Sequence, residues 1–190
     1  MIRIFGFFIF GMILSFAACK SSQQQDLKLS VYHWQLQAQD SNAQALQQFP
    51  IQNLYLHLAD IYWNASLQQA LPKASLKINA QNEVLKQAII PVFYMDNAVF
   101  AGIEKDSIPS LAARVLQFRN DFFKHFQLKD SLQELQIDCD WLEPQKEKYF
   151  AFLKALKQLA PDIKLSSTIR LYPYKYSKRM GVPPVDYGVL

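Results

Sequence analysis

The chain alternates short runs of strand formers with amphipathic helical segments, and this alternation restricts its fold more than any other feature. Leu29-Ser30-Val31-Tyr32-His33-Trp34 is rich in β-branched and aromatic residues and reads as a first strand. Asn42 to Phe49 has helical spacing, with Ala45, Leu46 and Phe49 on the inward side, and Pro50 stops it. Gln52 to Leu58 is a second strand, and residues 64–88 are irregular, with Leu76-Lys77-Ile78 as a short extra strand and a helical turn from Glu83 to Ala88. Ala88 to Tyr94 is a third strand, apolar on both faces. Its Pro91 needs a place where no ladder N–H is required. Ser107 and Pro109 open a long helix whose inward stripe is Leu111, Val115, Phe118, Phe122 and Phe126. Glu134 to Trp141 is a fourth strand, Lys146 to Ala160 a helix with Tyr149, Phe152, Leu153, Leu156 and Leu159 inward, Leu165 to Leu171 a fifth strand, and Val185 to Leu190 a sixth. Parallel strands joined by helical crossovers give an α/β architecture, either an open doubly wound sheet or a (β/α)8 barrel of the TIM type. No glycine-rich phosphate turn follows any strand, which weighs against a nucleotide-binding sheet.

The N-terminal segment stands apart from this pattern. Arg3 precedes an apolar run from Ile4 to Ala18 that ends in Phe16-Ala17-Ala18-Cys19. The run is too short to span a bilayer comfortably and has the layout of a secretory leader. The small residues before Cys19 resemble a bacterial lipobox. Residues 1–19 are therefore expected to be a lipoprotein signal peptide ending at a lipidated Cys19, with a plain leader or an anchor helix as the alternative. Residues 20–27 form a polar tether and 28–190 the folded domain. The expected location is the cell envelope, held by the lipid, with the outer membrane favoured because no Asp follows Cys19. Cys139 is then a lone thiol. The arithmetic of length follows: 190 minus 19 leaves 171 residues, whereas a closed barrel takes about 200–250. The expectation is an incomplete barrel of about five to six parallel strands, with a C-terminal half missing through truncation or supplied by another chain.

Composition narrows the function classes. Lys and Arg total 20 against 16 Asp and Glu, the basic residues are scattered, and nucleic acid is not an expected partner. Two cysteines cannot build a disulfide scaffold, no His/Cys cluster has ligand spacing, and neither metal nor cofactor is expected.

The polar residues that remain fall at strand ends. Asp138 and Asp140 flank Cys139 in the fourth strand, so alternation puts both on one face with Cα atoms about 6.5–7 Å apart. Two such carboxyls repel, raise one pKa, and suit acid–base chemistry or cation binding; the plain alternative is that each pairs with a neighbouring Arg or His. Arg170 is a natural bidentate partner for either. In parallel strands His33, Asp60, Asp96 and Arg170 would share one mouth, where barrel enzymes keep their chemistry. Trp34, Trp63, Tyr94, Trp141, Tyr172 and Tyr174 lie near the same ends, and sugar rings stack on such faces, although large aromatics mostly fill cores.

Leu135-Gln136-Ile137-Asp138-Cys139-Asp140-Trp141 resembles the fourth-strand motif of chitinase-like glycosidases, Asp-Gly-x-Asp-x-Asp-x-Glu. Asp138 and Asp140 match its second and third acids. Leu135 stands in place of the first, Leu142 in place of the catalytic acid, and Glu143 comes one position late. More of the chain resembles a bacterial lipoprotein family of unassigned activity with a glycosidase-like barrel. The segments that carry this are Val31 to Trp34, Gln136 to Trp141 with Lys148-Tyr149-Phe150, Thr168 to Leu171, and Gly181 to Asp186. The resemblance implies a glycosidase-like barrel, here incomplete and on a lipid tether, that acts on or binds polysaccharide, with Asp138 and Asp140 as its proton-handling acids; the strand-end residues His33, Trp34, Asp60, Asp96, Trp141, Arg170 and Tyr172 are the expected ligand contacts. The alternatives are a non-catalytic surface lipoprotein that binds a glycan or partner, and an inactive fragment of a longer barrel.

Overall fold

A computed structural model describes residues 29–38, 46, 48–130 and 133–190. The expected leader with Cys19, the tether, and residues 42–45 and 47 of the expected first helix lie outside the described residues. Seven strands form one sheet: β1 (Leu29–His33), β2 (Ile51–Asn64), β3 (Gln69–Ser75), β4 (Ile89–Met95), β5 (Glu134–Asp138), β6 (Lys164–Thr168) and β7 (Tyr187–Val189). The helices are α1 (Asn97–Gly102), α2 (Ile108–His125), α3 (Lys146–Leu159), α4 (Leu171–Lys175) and α5 (Ser177–Met180). The strand order is β1-β2-β4-β5-β6-β7, with every neighbour along it parallel. Only β3 is antiparallel. It lies against the second half of β2, on the side that β1 occupies lower down.

Two hydrogen bonds measure how far this sheet is curled. Strands in a flat sheet are about 4.8 Å apart, so β1 and β5 would be separated by about 14 Å and β2 and β7 by about 19 Å. Yet Tyr32 on β1 donates to Gln136 Oε1 on β5 at 2.5 Å, and the Tyr55 and Tyr187 hydroxyls, on β2 and β7, are 3.2 Å apart. Such contacts across a sheet require a concave face, and the six parallel strands make an incomplete TIM-type barrel. The convex face carries the main core. Leu54, Leu56, Leu58, Phe93, Leu135 and Ile137 pack there with Leu111 and Val115 of α2 and Phe152, Leu153 and Leu156 of α3. Burying a ring such as Phe152 contributes about 2–3 kcal/mol.

The elements differ from the sequence reading in four places. β2 continues to Asn64 because its second half pairs with β3, whose QALPKAS sequence has few strand formers. Tertiary pairing outweighs propensity there, and the hairpin turns through Gln68 at φ 50°, with Leu67 N donating to Asn64 Oδ1. The expected strand at Leu76–Ile78 is reduced to one bridge between Lys77 and Gln37. β5 ends at Asp138 and β6 at Thr168, so Asp140 and Arg170 stand beyond the strands, and Arg170 is the residue directly before α4. Phe49 and Leu159, expected inward, are exposed. The ladder between β4 and β5 starts at Val92, one residue after Pro91.

Candidate functional site

The concave face combines a small apolar cluster of Tyr55, Ile90 and Val92 with buried polar side chains, whereas the convex face is apolar. Alternation along β5 directs Leu135, Ile137 and Cys139 into the main core and leaves Glu134, Gln136 and Asp138 on the concave side, all of them buried. Ser166 of β6 joins this side, its hydroxyl donating to Glu134 Oε1 at 3.3 Å.

A hydrogen-bond chain crosses this face toward Asp138. Tyr32 donates to Gln136 Oε1, and Gln136 Nε2 donates to Thr168 Oγ1 at 3.0 Å. The Thr168 hydroxyl in turn favours the charged form of the Asp138 carboxyl. The directions of the two bonds of Gln136 are fixed, because its amide has separate donor and acceptor ends. Burial pushes the Asp138 carboxyl above its ordinary value. Thr168 opposes that shift, the charge of Asp140 adds to it, and Arg170 and His57 lower it.

His57 reaches this group through an irregularity in β2. On a regular strand, residues three apart point to opposite faces. The β2–β4 register slips between His57 and Ala59, so Leu58 and Ala59 both enter the convex core. The slip returns Asp60 to the side of His57, and Asp60 Oδ1 lies 2.9 Å from His57 Nε2. That contact is close but off-line for a hydrogen bond, an ion pair when the ring is protonated. The Nδ1–H donates to the Trp34 carbonyl at 3.0 Å, since a carbonyl can only accept. Asp60, Tyr94 and Asp138 are register partners across β2, β4 and β5. Burial, with the charges of Asp140 and Asp96, pushes the Tyr94 phenol up to about 12.

Above the strand ends, Asp140 is ion-paired with Arg170, and Glu143 with Arg179. Both pairs line a cavity of about 510 Å³ between the 139–144 loop and the α4–α5 segment. Tyr172 also lines it, about half exposed, with its ring centroid 4.6 Å from that of Tyr176. A larger cavity of about 780 Å³, between residues 35–37 and β3, has no carboxylate or imidazole in its lining.

The structure therefore gathers Asp138, Asp140, Asp60, Arg170 and Trp34 on the concave face or its rim, with Tyr172 at the rim cavity. Trp34 is half exposed, its ring centroid 4.7 Å from that of His57. Three other residues have different surroundings. His33 shares the face of Val31 and pairs in register with Leu56, so it points toward the convex core. Asp96 accepts from Ala98 N at 2.7 Å and caps α1. Trp141 forms part of the wall of the 510 Å³ cavity but from within the core: it is buried, stacked on Tyr149, with its Nε1–H donating to the Met180 carbonyl. His57, Gln136, Thr168, Glu143 and Arg179 belong to the arrangement although the sequence reading did not select them. Gln136 shares the parity of Asp138 and was accessible by that signal. Among the described residues, no group of three or more His, Cys, Asp or Glu side chains is arranged to hold a metal.

No family model and no curated protein matches the chain. Among solved structures it is similar to EndoBT-3987 of Bacteroides thetaiotamicron, solved with a Man5GlcNAc product, at 12% identity and a TM-score of 0.51, over 87% of this chain and 42% of that one. It is also similar to the spore cortex-lytic enzyme SleL of Bacillus cereus, at 16% identity and a TM-score of 0.40, over 75% of this chain and 35% of that one. This chain thus spans about two fifths of the length of EndoBT-3987, and the likeness to that protein is one of fold.

Proposed function

We propose that the cavity above β5 and β6 binds a glycan, in a cell-envelope lipoprotein whose barrel is of the glycoside-hydrolase type. The carrying observation is the exposed Tyr172 ring beside the Asp140–Arg170 and Glu143–Arg179 pairs, at the C-terminal ends of parallel strands. Sugar hydroxyls both donate and accept. A carboxylate with only acceptors, set beside a guanidinium with only donors, meets both needs, and an aromatic ring takes the apolar face of a pyranose. The pairing also leaves the cavity wall without net charge from these four groups. The glycan product in EndoBT-3987 supports this ligand class.

Hydrolysis is a second reading, favoured by Asp138. Burial holds its carboxyl above the ordinary range beside the ion-paired Asp140, a setting that suits a general acid. Leu142, exposed at the position where the chitinase-like motif has its acid, favours binding without chemistry.

The test is calorimetric titration with a panel of oligosaccharides, run together with a reducing-end assay. Saturable binding that falls at least tenfold in both Tyr172→Ala and Asp140→Asn, without turnover, is the expected result. Turnover lost in Asp138→Asn establishes the second reading. A panel in which no member binds or is cleaved refutes both. The lipid anchor is checked separately: radiolabelled palmitate should enter the wild-type protein in a bacterial host and be absent from Cys19→Ser.

A further inference from the structure

We propose that the glycan taken at this site is acidic, carrying a carboxylate on at least some of its sugars; this rests on the glycan reading above and goes beyond it to the substrate class. The outer wall of the cavity is the stretch Arg170 to Met180. It contains Arg170, Lys175, Lys178 and Arg179 and no Asp or Glu. Asp140 and Glu143 already compensate the two arginines. Lys175 and Lys178 are exposed, and among the described residues neither forms an ion pair with a carboxylate. The neutral cavity therefore opens onto a surface with two uncommitted positive charges. Exposed rings of Tyr172, Tyr174 and Tyr176 share the same stretch, and Lys175 Nζ lies 5.4 Å from the Tyr176 ring centroid.

Tyr172 lies in the cavity wall, while Lys175 and Lys178, on the same short helical stretch, lie outside the lining, where they would meet a carboxylate on a sugar that extends past the cavity. An anionic lipid surface is the competing ligand for exposed tyrosines and lysines. Such surfaces are recognised by clusters of about four to eight Lys or Arg, and only Lys175 and Lys178 remain uncommitted in this stretch. Two cations are too few for a membrane and sufficient for one or two uronate groups.

The test uses the full chain and the neutral panel above, enlarged with hexagalacturonate, its methyl ester and hyaluronan oligosaccharides. Acidic members should bind about fivefold more tightly than their neutral counterparts at low salt, as expected for two weak exposed ion pairs. The advantage should fade as the Debye length drops from about 10 Å at 0.1 M to about 3 Å at 1 M salt. The Lys175→Gln, Lys178→Gln double variant should lose the acidic preference and keep its affinity for a neutral member. Neutral members bound as tightly as acidic ones, or a preference untouched by the double variant, would overturn the inference and leave the glycan reading standing. Binding to phosphatidylglycerol vesicles with no affinity for acidic sugars would also overturn it. If no sugar of either kind binds, the glycan reading itself fails.

Discussion

Thr168→Val tests whether the hydrogen-bond chain on the concave face is directed at Asp138. Valine keeps the shape of threonine and removes only the hydroxyl, which accepts from Gln136 Nε2 at 3.0 Å and favours the charged form of Asp138. Gln136 is wholly buried, so its amide N–H loses an acceptor that water cannot replace, at about 1–3 kcal/mol. The Asp138 carboxylate loses a donor to a charged group, worth about 1.5–3 kcal/mol. Relaxation and non-additivity reduce the sum, and a destabilisation of about 3 kcal/mol is expected at pH 7. The pH dependence separates the two contributions. Loss of the donor raises the Asp138 pKa further above its unfolded value, so the deficit attached to the charge is present while Asp138 is ionised. It disappears as the pH falls through the folded-state pKa, leaving only the share from Gln136. Urea unfolding of both proteins from pH 7 down to about pH 4 measures this directly. A deficit below about 0.5 kcal/mol at pH 7, or one that does not change with pH, would show that the chain is not aimed at Asp138.

Asp138→Asn should stabilise the protein at neutral pH, because the ionised group is penalised in the folded state. The difference should begin to close as the pH falls through the raised folded-state pKa and should be gone below the unfolded value of 3.8, where both states carry the proton. A loss of stability at pH 7 in the same unfolding assay contradicts this. Gly102→Ala drives a Cβ into the Trp63 ring, so overpacking should cost about 1–3 kcal/mol, read from the thermal midpoint together with Trp fluorescence. Burial and the neighbouring acids push the Cys139 thiol up, so it should stay unmodified by a disulfide reagent in the native protein and react at once in denaturant.

The half-barrel was legible in the sequence because its strands alternate with helices whose apolar stripes are long and regular; the convex-face core of Leu111, Val115, Phe122, Phe152 and Leu156 follows those stripes. Arg170 was also legible as the partner of one of the two aspartates, and the structure pairs it with Asp140 rather than Asp138. The hairpin arm β3 was not, since its sequence has little strand propensity and depends on pairing with β2. Parity arguments held where strands are regular, as for Gln136 and Asp138. They could not place His57 beside Asp60, because a register slip leaves no mark in composition or periodicity. His33 shows the same limit from the other direction: nearness to a strand end says nothing about which face the side chain takes.

That slip at Leu58 also governs how β2 can be compared with distant relatives. It acts as a one-residue insertion in the middle of the longest strand, so the lower and upper halves obey opposite parities. A homologue lacking the extra residue matches this strand only with a gap opposite Leu58. Aligned without the gap, its counterpart of Asp60 is assigned to the wrong side of the sheet, and a shared imidazole–carboxylate couple disappears from view.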